Sequence, residues 1–124
     1  MATRHCRVLV VDDDADSLLL AAVALEQHGA RVTTARSGIE ALEVMAHSLP
    51  DVLVSDLGMP DLDGLELMRE VRRRKGMTVP GLALTAYAME ADAERTRAAG
   101  YTMHLSKPLD PKRLAMAVRR LAGT

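Results

Sequence analysis

The chain has 124 residues, 48% of them apolar and 27% charged, with 16 Lys and Arg set against 17 Asp and Glu. That length holds one domain with a single core, and the near-balance of charge implies neither nucleic acid nor membrane as a partner. Trp and Phe are absent and Tyr occurs only at 87 and 101, so base stacking on aromatics is unavailable; no apolar run approaches the ~20 residues that cross a bilayer.

Val8–Val11 is an apolar, β-branched run of the kind that forms a fully buried strand, and it ends at Asp12-Asp13-Asp14. It is too short for the core of a signal peptide, and acids follow at once, so a cytoplasmic protein is expected. Cys6 is the single cysteine; it excludes an internal disulfide and fits a small hydrophobe beside this strand. From Asp16 the pattern turns helical, with Leu19, Ala22, Val23 and Glu26 sharing one face and Gly29 as the stop. Asp14 and Asp16 read as capping and dipole residues of that helix.

Arg31–Ala35 alternates and reads as an edge strand, and Ser37-Gly38-Ile39-Glu40 is a capping box that starts a second helix. Ile39, Leu42 and Met45 or Ala46 form its predicted inner face, and Pro50 closes the segment. Val52, Leu53 and Val54 form another buried strand running into Asp56, after which Pro60 and Gly64 break regular structure. Asp61 and Asp63 read as turn and cap residues. The third helix turns Leu65, Met68 and Val71 inward, and Arg69, Arg72, Arg73, Arg74 and Lys75 mostly toward water, as a helix C-terminus favours.

Pro80-Gly81 leads into Leu82–Leu84, which ends at Thr85; an Ala-rich fourth helix runs from about Met89 to Ala99, with Gly100 as its cap. Met103–Leu105 is the fifth strand and ends in Ser106-Lys107-Pro108. Asp110 caps a fifth helix with Pro111 at its first position and Leu114, Ala117 or Val118, and Leu121 inward. Strands alternating with helices predict an α/β domain, a parallel sheet covered on both faces.

Right-handed crossovers bring the carboxyl ends of such strands to one edge, where open α/β sheets bind ligands. Asp12, Asp13, Asp56, Thr85 and Lys107 should therefore converge. Three carboxylates at close range repel, and one takes up a proton unless a cation intervenes. Oxygen ligands without His or Cys suit Mg²⁺, and a Lys and a hydroxyl beside them form an electrophilic clamp for a transferring phosphoryl group. His5, His28 and His47 are scattered, without metal-ligand spacing.

Val10-Val11-Asp12-Asp13, Ser55-Asp56 with Met59-Pro60 and Gly64, Leu84-Thr85-Ala86, and Ser106-Lys107-Pro108 resemble the receiver domain of two-component response regulators, over essentially the whole chain. The resemblance implies a doubly wound, flavodoxin-like sheet of order 2-1-3-4-5, for which a receiver is itself a standard example. It implies Asp56 as phosphoacceptor, Asp13 as direct and Asp12 as water-mediated Mg²⁺ ligand, and the backbone carbonyl of Gly58 as a further ligand. Thr85 and Lys107 would bind phosphoryl oxygens, and Lys107–Pro108 would be a cis peptide. His104 stands three residues before Lys107, at the switch position where Tyr or Phe is common. Gly58 would leave the acyl phosphate open to water.

The same resemblance implies a sensor histidine kinase or histidine phosphotransfer domain as donor. It also implies a downstream protein read on the fourth helix, fifth strand and fifth helix, and a monomer or phosphorylation-dependent dimer. Gly100-Tyr101 and Leu84–Ala88 are similar to receivers fused to hybrid histidine kinases, although residues 1–124 read as one receiver with no output domain. Two rival readings stand beside this one. Asp12-x-Asp14 after Val8–Val11 resembles the motif of haloacid-dehalogenase-like phosphatases with Asp12 as nucleophile, but Asp16 replaces the expected Thr or Val and no distal acidic pair follows. A docking module that works without phosphorylation would not need Asp12, Asp13, Asp56, Thr85 and Lys107 together.

Overall fold

The computed structural model describes residues 6–59, 62–74, 76, 78–86 and 90–123, apart from the side chains of 90–92. His5, Pro60, Asp61, Lys75, Tyr87 and Met89 lie outside those residues. Strands and helices alternate as β1 (Arg7–Val11), α1 (Ala15–Gln27), β2 (Arg31–Ala35), α2 (Gly38–His47), β3 (Val52–Asp56), α3 (Gly64–Arg73), β4 (Gly81–Thr85), α4 (Glu90–Ala99), β5 (Met103–Ser106) and α5 (Pro111–Leu121). All strand pairs are parallel and their order is β2-β1-β3-β4-β5. Among the described residues, no helix is long and apolar enough to cross a membrane.

The strands owe their place to side-chain alternation. Val8, Val10, Val52, Val54, Leu82 and Leu84 face one side of the sheet, where Leu18, Ala21 and Leu25 of α1 and Leu114 and Val118 of α5 cover them. Leu9, Val11, Leu53 and Ala83 face the other, beneath Ala41 and Met45 of α2 and Leu67, Met68 and Val71 of α3. Both faces of β1 and β3 are thus dry, which is why their sequences are continuously apolar rather than alternating. β2, exposed at three of its positions, is an edge strand as its alternation predicts.

The set that shares helical spacing in α1 is split between inside and outside, with only Ala22 buried, and the inner face of α2 differs from the sequence reading. α1 buries Leu18, Ala21, Ala22, Ala24 and Leu25, while Leu19 and Val23 are 64% and 42% exposed and Glu26 is exposed as well. Residues 18–25 are all apolar, so periodicity alone does not fix which stripe turns inward. In α2, Ile39 is exposed and Ala41 and Met45 point in. This rotation lets Gly38 meet the loop after β3 closely: a Cβ there would lie 2.6 Å from the Leu62 carbonyl oxygen.

The caps behave as read. Ser37 Oγ accepts from the Glu40 amide at 3.0 Å, although the Glu40 carboxylate reaches back to the amide of Arg36 rather than of Ser37. Asp63 and Asp110 accept the amides of Glu66 and Lys112, and Gly29 and Gly100 close α1 and α4 with positive φ of 90° and 117°. Arg72 is not simply solvated. Its Nε and Nη2 donate to the Gly100 carbonyl at 3.2 and 2.7 Å.

Candidate functional site

The alternation that builds the core also builds the site. Continued past the last apolar residues, it carries Asp12 from β1, Asp56 from β3 and Lys107 from β5 to the same side as Val10, Val54 and Leu105, at the carboxyl edge of the sheet. Lys107 Nζ lies 3.3 Å from Asp12 Oδ2 and 3.5 Å from Asp56 Oδ1. Carboxylate oxygens of Asp12, Asp13 and Asp56 come within 4.8 Å of one another, the one such group of potential ligands found among the described residues.

Asp12 is 1% exposed and both its oxygens are engaged, because Oδ1 accepts the Asp14 amide at 3.0 Å. Burial and the neighbouring Asp56 charge push its carboxyl above the ordinary value, against the Asp14 amide and the Lys107 ammonium. Burial alone would pull Lys107 down; the carboxylates of Asp56 and Asp12 more than offset it and hold the ammonium above its usual value. Asp14 instead caps α1, with Oδ2 accepting from the Ser17 amide at 3.0 Å and from Ser17 Oγ at 2.7 Å, and these bonds hold its carboxyl low. The acid cluster is therefore Asp12, Asp13 and Asp56. A hard cation with vacant positions suits this set of oxygen donors, whose mutual repulsion one ammonium only partly offsets.

Asp56 is held from its backbone outward. Ser55 Oγ donates to its carbonyl at 3.0 Å, and the next amide, Leu57, donates to Leu84 at 3.0 Å. Thr85 ends β4 beside Ser106, and its carbonyl accepts the Lys107 amide at 2.8 Å. Lys107–Pro108 is cis. Thr85 and Gly58 line one cavity of about 330 Å³ with Leu57, Asp63, Arg95 and Thr96. A Cβ at Gly58 would meet no atom within 4 Å, so the space over the loop is open. His104 is half-buried opposite Ala83, two residues before the Thr85 partner Ser106, and so shares with Thr85 the sheet face of α2 and α3 rather than that of Asp56.

Residues 8–119 match the family model described as the response regulator receiver domain. The chain belongs to that family. An uncharacterized 14.6 kDa protein from the sodA1 3′ region of Leptolyngbya boryana is 46% identical to this receiver, over 91% of its chain and 87% of the relative. The polar-differentiation response regulator DivK of Brucella ovis is 30% identical, over 94% and 95% of the two chains. Among solved structures, the chemotaxis protein CheY4 of Vibrio cholerae superposes with a TM-score of 0.90 at 31% identity, covering 94% of this chain and 98% of that one. Receivers act in two-component signalling, and phosphorylation and Mg²⁺ are typical of them.

Three features of this receiver site escape a reading from spacing. Gly64, at the start of α3, sits so close to the end of β3 that a Cβ would lie 2.6 Å from the Asp56 carbonyl oxygen and 2.8 Å from Leu57 Cα. Tyr101, 3% exposed, donates its hydroxyl to the Gly64 carbonyl at 2.6 Å, and burial raises its phenol well above the ordinary value. Its ring packs where Gly81 leaves room; a Cβ there would lie 2.9 Å from Tyr101 Cδ1. Arg36, just after β2, reaches over the acid loop and donates to the Asp13 carbonyl at 3.4 Å. Gly64 in the motif around Asp56 and the Gly100-Tyr101 pair ahead of β5 are the signals that the sequence offers; Arg36 has none.

Proposed function

We propose that this receiver accepts a phosphoryl group on Asp56 from the phosphohistidine of a histidine kinase or a histidine phosphotransfer protein. The observation that carries the reading is the salt-bridged cluster in which Lys107 lies between the carboxylates of Asp12 and Asp56. An Asp56 oxygen attacks phosphorus, the donor's N–P bond breaks as the O–P bond forms, and the electron pair goes to the leaving imidazole, which takes any proton it needs from solvent. Lys107 Nζ stands next to the attacking carboxylate and supplies positive charge where oxygens of the transferring group gather. Asp12, Asp13, Asp56 and the Gly58 carbonyl would hold Mg²⁺, which when bound neutralises the acids against an incoming dianion.

Asp56 fits the nucleophile better than Asp12 does. The Asp12 side chain is 1% exposed with both oxygens committed, whereas that of Asp56 is 13% exposed. That burial and those bonds count against Asp12 as a phosphatase-like nucleophile, and a docking module has no need of the cluster. The receiver regulates rather than turning over a substrate, assisting its own phosphorylation and, with water free to approach over Gly58, its own dephosphorylation. We place it in the cytoplasm, where the buried thiol of Cys6 stays reduced.

Intact-mass measurement with acetyl phosphate and Mg²⁺ tests this. One phosphoryl group is gained by the wild type and none by Asp56→Ala or in EDTA; labelling that persists in either case overturns the assignment.

The way out of the site runs through Thr85. A phosphoryl group on Asp56 offers its hydroxyl a charge-assisted acceptor, and His104, on the same sheet face, moves into the space Thr85 leaves. That shift presents α4, β5 and α5 to a downstream protein. With the phosphoryl mimic beryllofluoride, the NMR resonances of the His104 ring and of β5 should move together. A ring that does not respond would send the signal through another face.

A further inference from the structure

α1 and α5 lie side by side on one face of the sheet, and their outward surfaces are opposite in charge. α1 carries Asp16 and Glu26 and no Lys or Arg; α5 carries Lys112, Arg113, Arg119 and Arg120 and no Asp or Glu. Each surface is also apolar at its centre. Leu19, Leu20 and Val23 of α1 are 64%, 46% and 42% exposed, and Met116 of α5 is 67% exposed. Asp16 stands one turn before Leu20, and Glu26 one turn after Val23. Met116 has the exposed Lys112 and Arg120 four residues to either side, so each apolar centre is bracketed by charge of one sign.

We propose that this face pairs with the same face of a second copy of the chain about a two-fold axis, α1 of each copy on α5 of the other. A second copy fits this face because an isologous pairing sets each surface against its complement in one step, and does so twice. Leu19, Leu20 and Val23 then enclose Met116, whose flexible thioether adapts to an irregular gap, while Asp16 and Glu26 meet Lys112 and Arg120 at the rim. α1 is about 20 Å long and neighbouring helices lie about 10 Å apart. The paired face therefore falls at or below the usual 1,200–2,000 Å² total, roughly speaking, of a stable interface. The dimer is accordingly weak, and added salt weakens it further by screening the rim. It does not depend on phosphorylation of Asp56.

Sedimentation equilibrium of the full chain, unphosphorylated and taken to millimolar concentration, tests the pairing. The wild type should show a monomer–dimer equilibrium. Asp16→Lys/Glu26→Lys and Lys112→Glu/Arg120→Glu should each lose self-association by roughly tenfold or more. Mixed, the two variants should pair with each other, because each then offers the sign the other lacks on both helices. These positions are exposed, and matching circular dichroism of the variants would confirm that the fold is kept. A wild type that stays monomeric, reversal variants that dimerise as the wild type does, or a mixture that stays monomeric would each overturn the proposal and leave the face to a different occupant.

Discussion

Lys107→Ala should slow phosphoryl transfer to Asp56 by roughly 10²-fold, the order seen when one preorganised charge donor is taken from a transition state. The same change does not weaken Mg²⁺ binding. In the resting site the ammonium, 3.3 Å from Asp12 and 3.5 Å from Asp56, competes with a cation for those carboxylates, so its removal leaves them more negative. Opposite signs on the two measurements separate a role in the chemistry from simple misfolding, which would lower both. Lys107→Arg restores only part of the rate, since a planar fork does not reproduce a compact ammonium between two carboxylates. Stopped-flow phosphorylation with acetyl phosphate, together with calorimetric Mg²⁺ titration, measures both quantities. A wild-type rate in Lys107→Ala would remove Lys107 from the mechanism, and one in Lys107→Arg would show that any cation at this position suffices.

Gly64→Ala should destabilise the fold by about 2 kcal/mol, within the range for overpacking a filled site. The added Cβ would meet the Asp56 carbonyl oxygen at 2.6 Å and Leu57 Cα at 2.8 Å, and backbone atoms yield less readily than the end of a side chain. The strain falls on the peptide that carries Asp56, so Mg²⁺ affinity drops along with stability. Leu25→Ala is the control. It opens a cavity on the α1 face, away from this loop, and costs a similar or larger amount, about 2–5 kcal/mol. Urea unfolding ranks the two variants, and Mg²⁺ titration under folding conditions should show a loss in Gly64→Ala alone. Equal metal affinity in both would mean that the loop absorbs the methyl group without moving Asp56.

Much of this molecule is legible in its sequence, for identifiable physical reasons. Buried parallel strands need unbroken apolar runs, so Val8–Val11 and Val52–Val54 announce themselves, and the polar residues after them mark the carboxyl edge. Ser37, Asp63 and Asp110 satisfy helix amides only a few residues on, a local interaction that spacing reveals. The inner stripe of α1 was not legible, because residues 18–25 offer apolar side chains in every direction and only the packed sheet and α5 select among them. The outward turn of Ile39 is illegible for a related cause: the rotation of α2 goes with the close approach of Gly38 to Leu62, a distant contact that no local signal encodes. The Tyr101 hydroxyl finds the Gly64 carbonyl across 37 positions of chain, so spacing says nothing of that bond.

α3 is gripped at both ends by consecutive residues of a distant turn. Tyr101 holds the carbonyl of its first residue, and Arg72, near its last, holds the carbonyl of Gly100. A helix tied in this way does not fray from either terminus without releasing the turn that feeds β5. In hydrogen-exchange experiments the amides of α3 and those at the entry to β5 should therefore open together, as one cooperative unit. The boundary of that unit runs through Gly100, so the turn follows α3 in its breathing motions although its chain comes from α4.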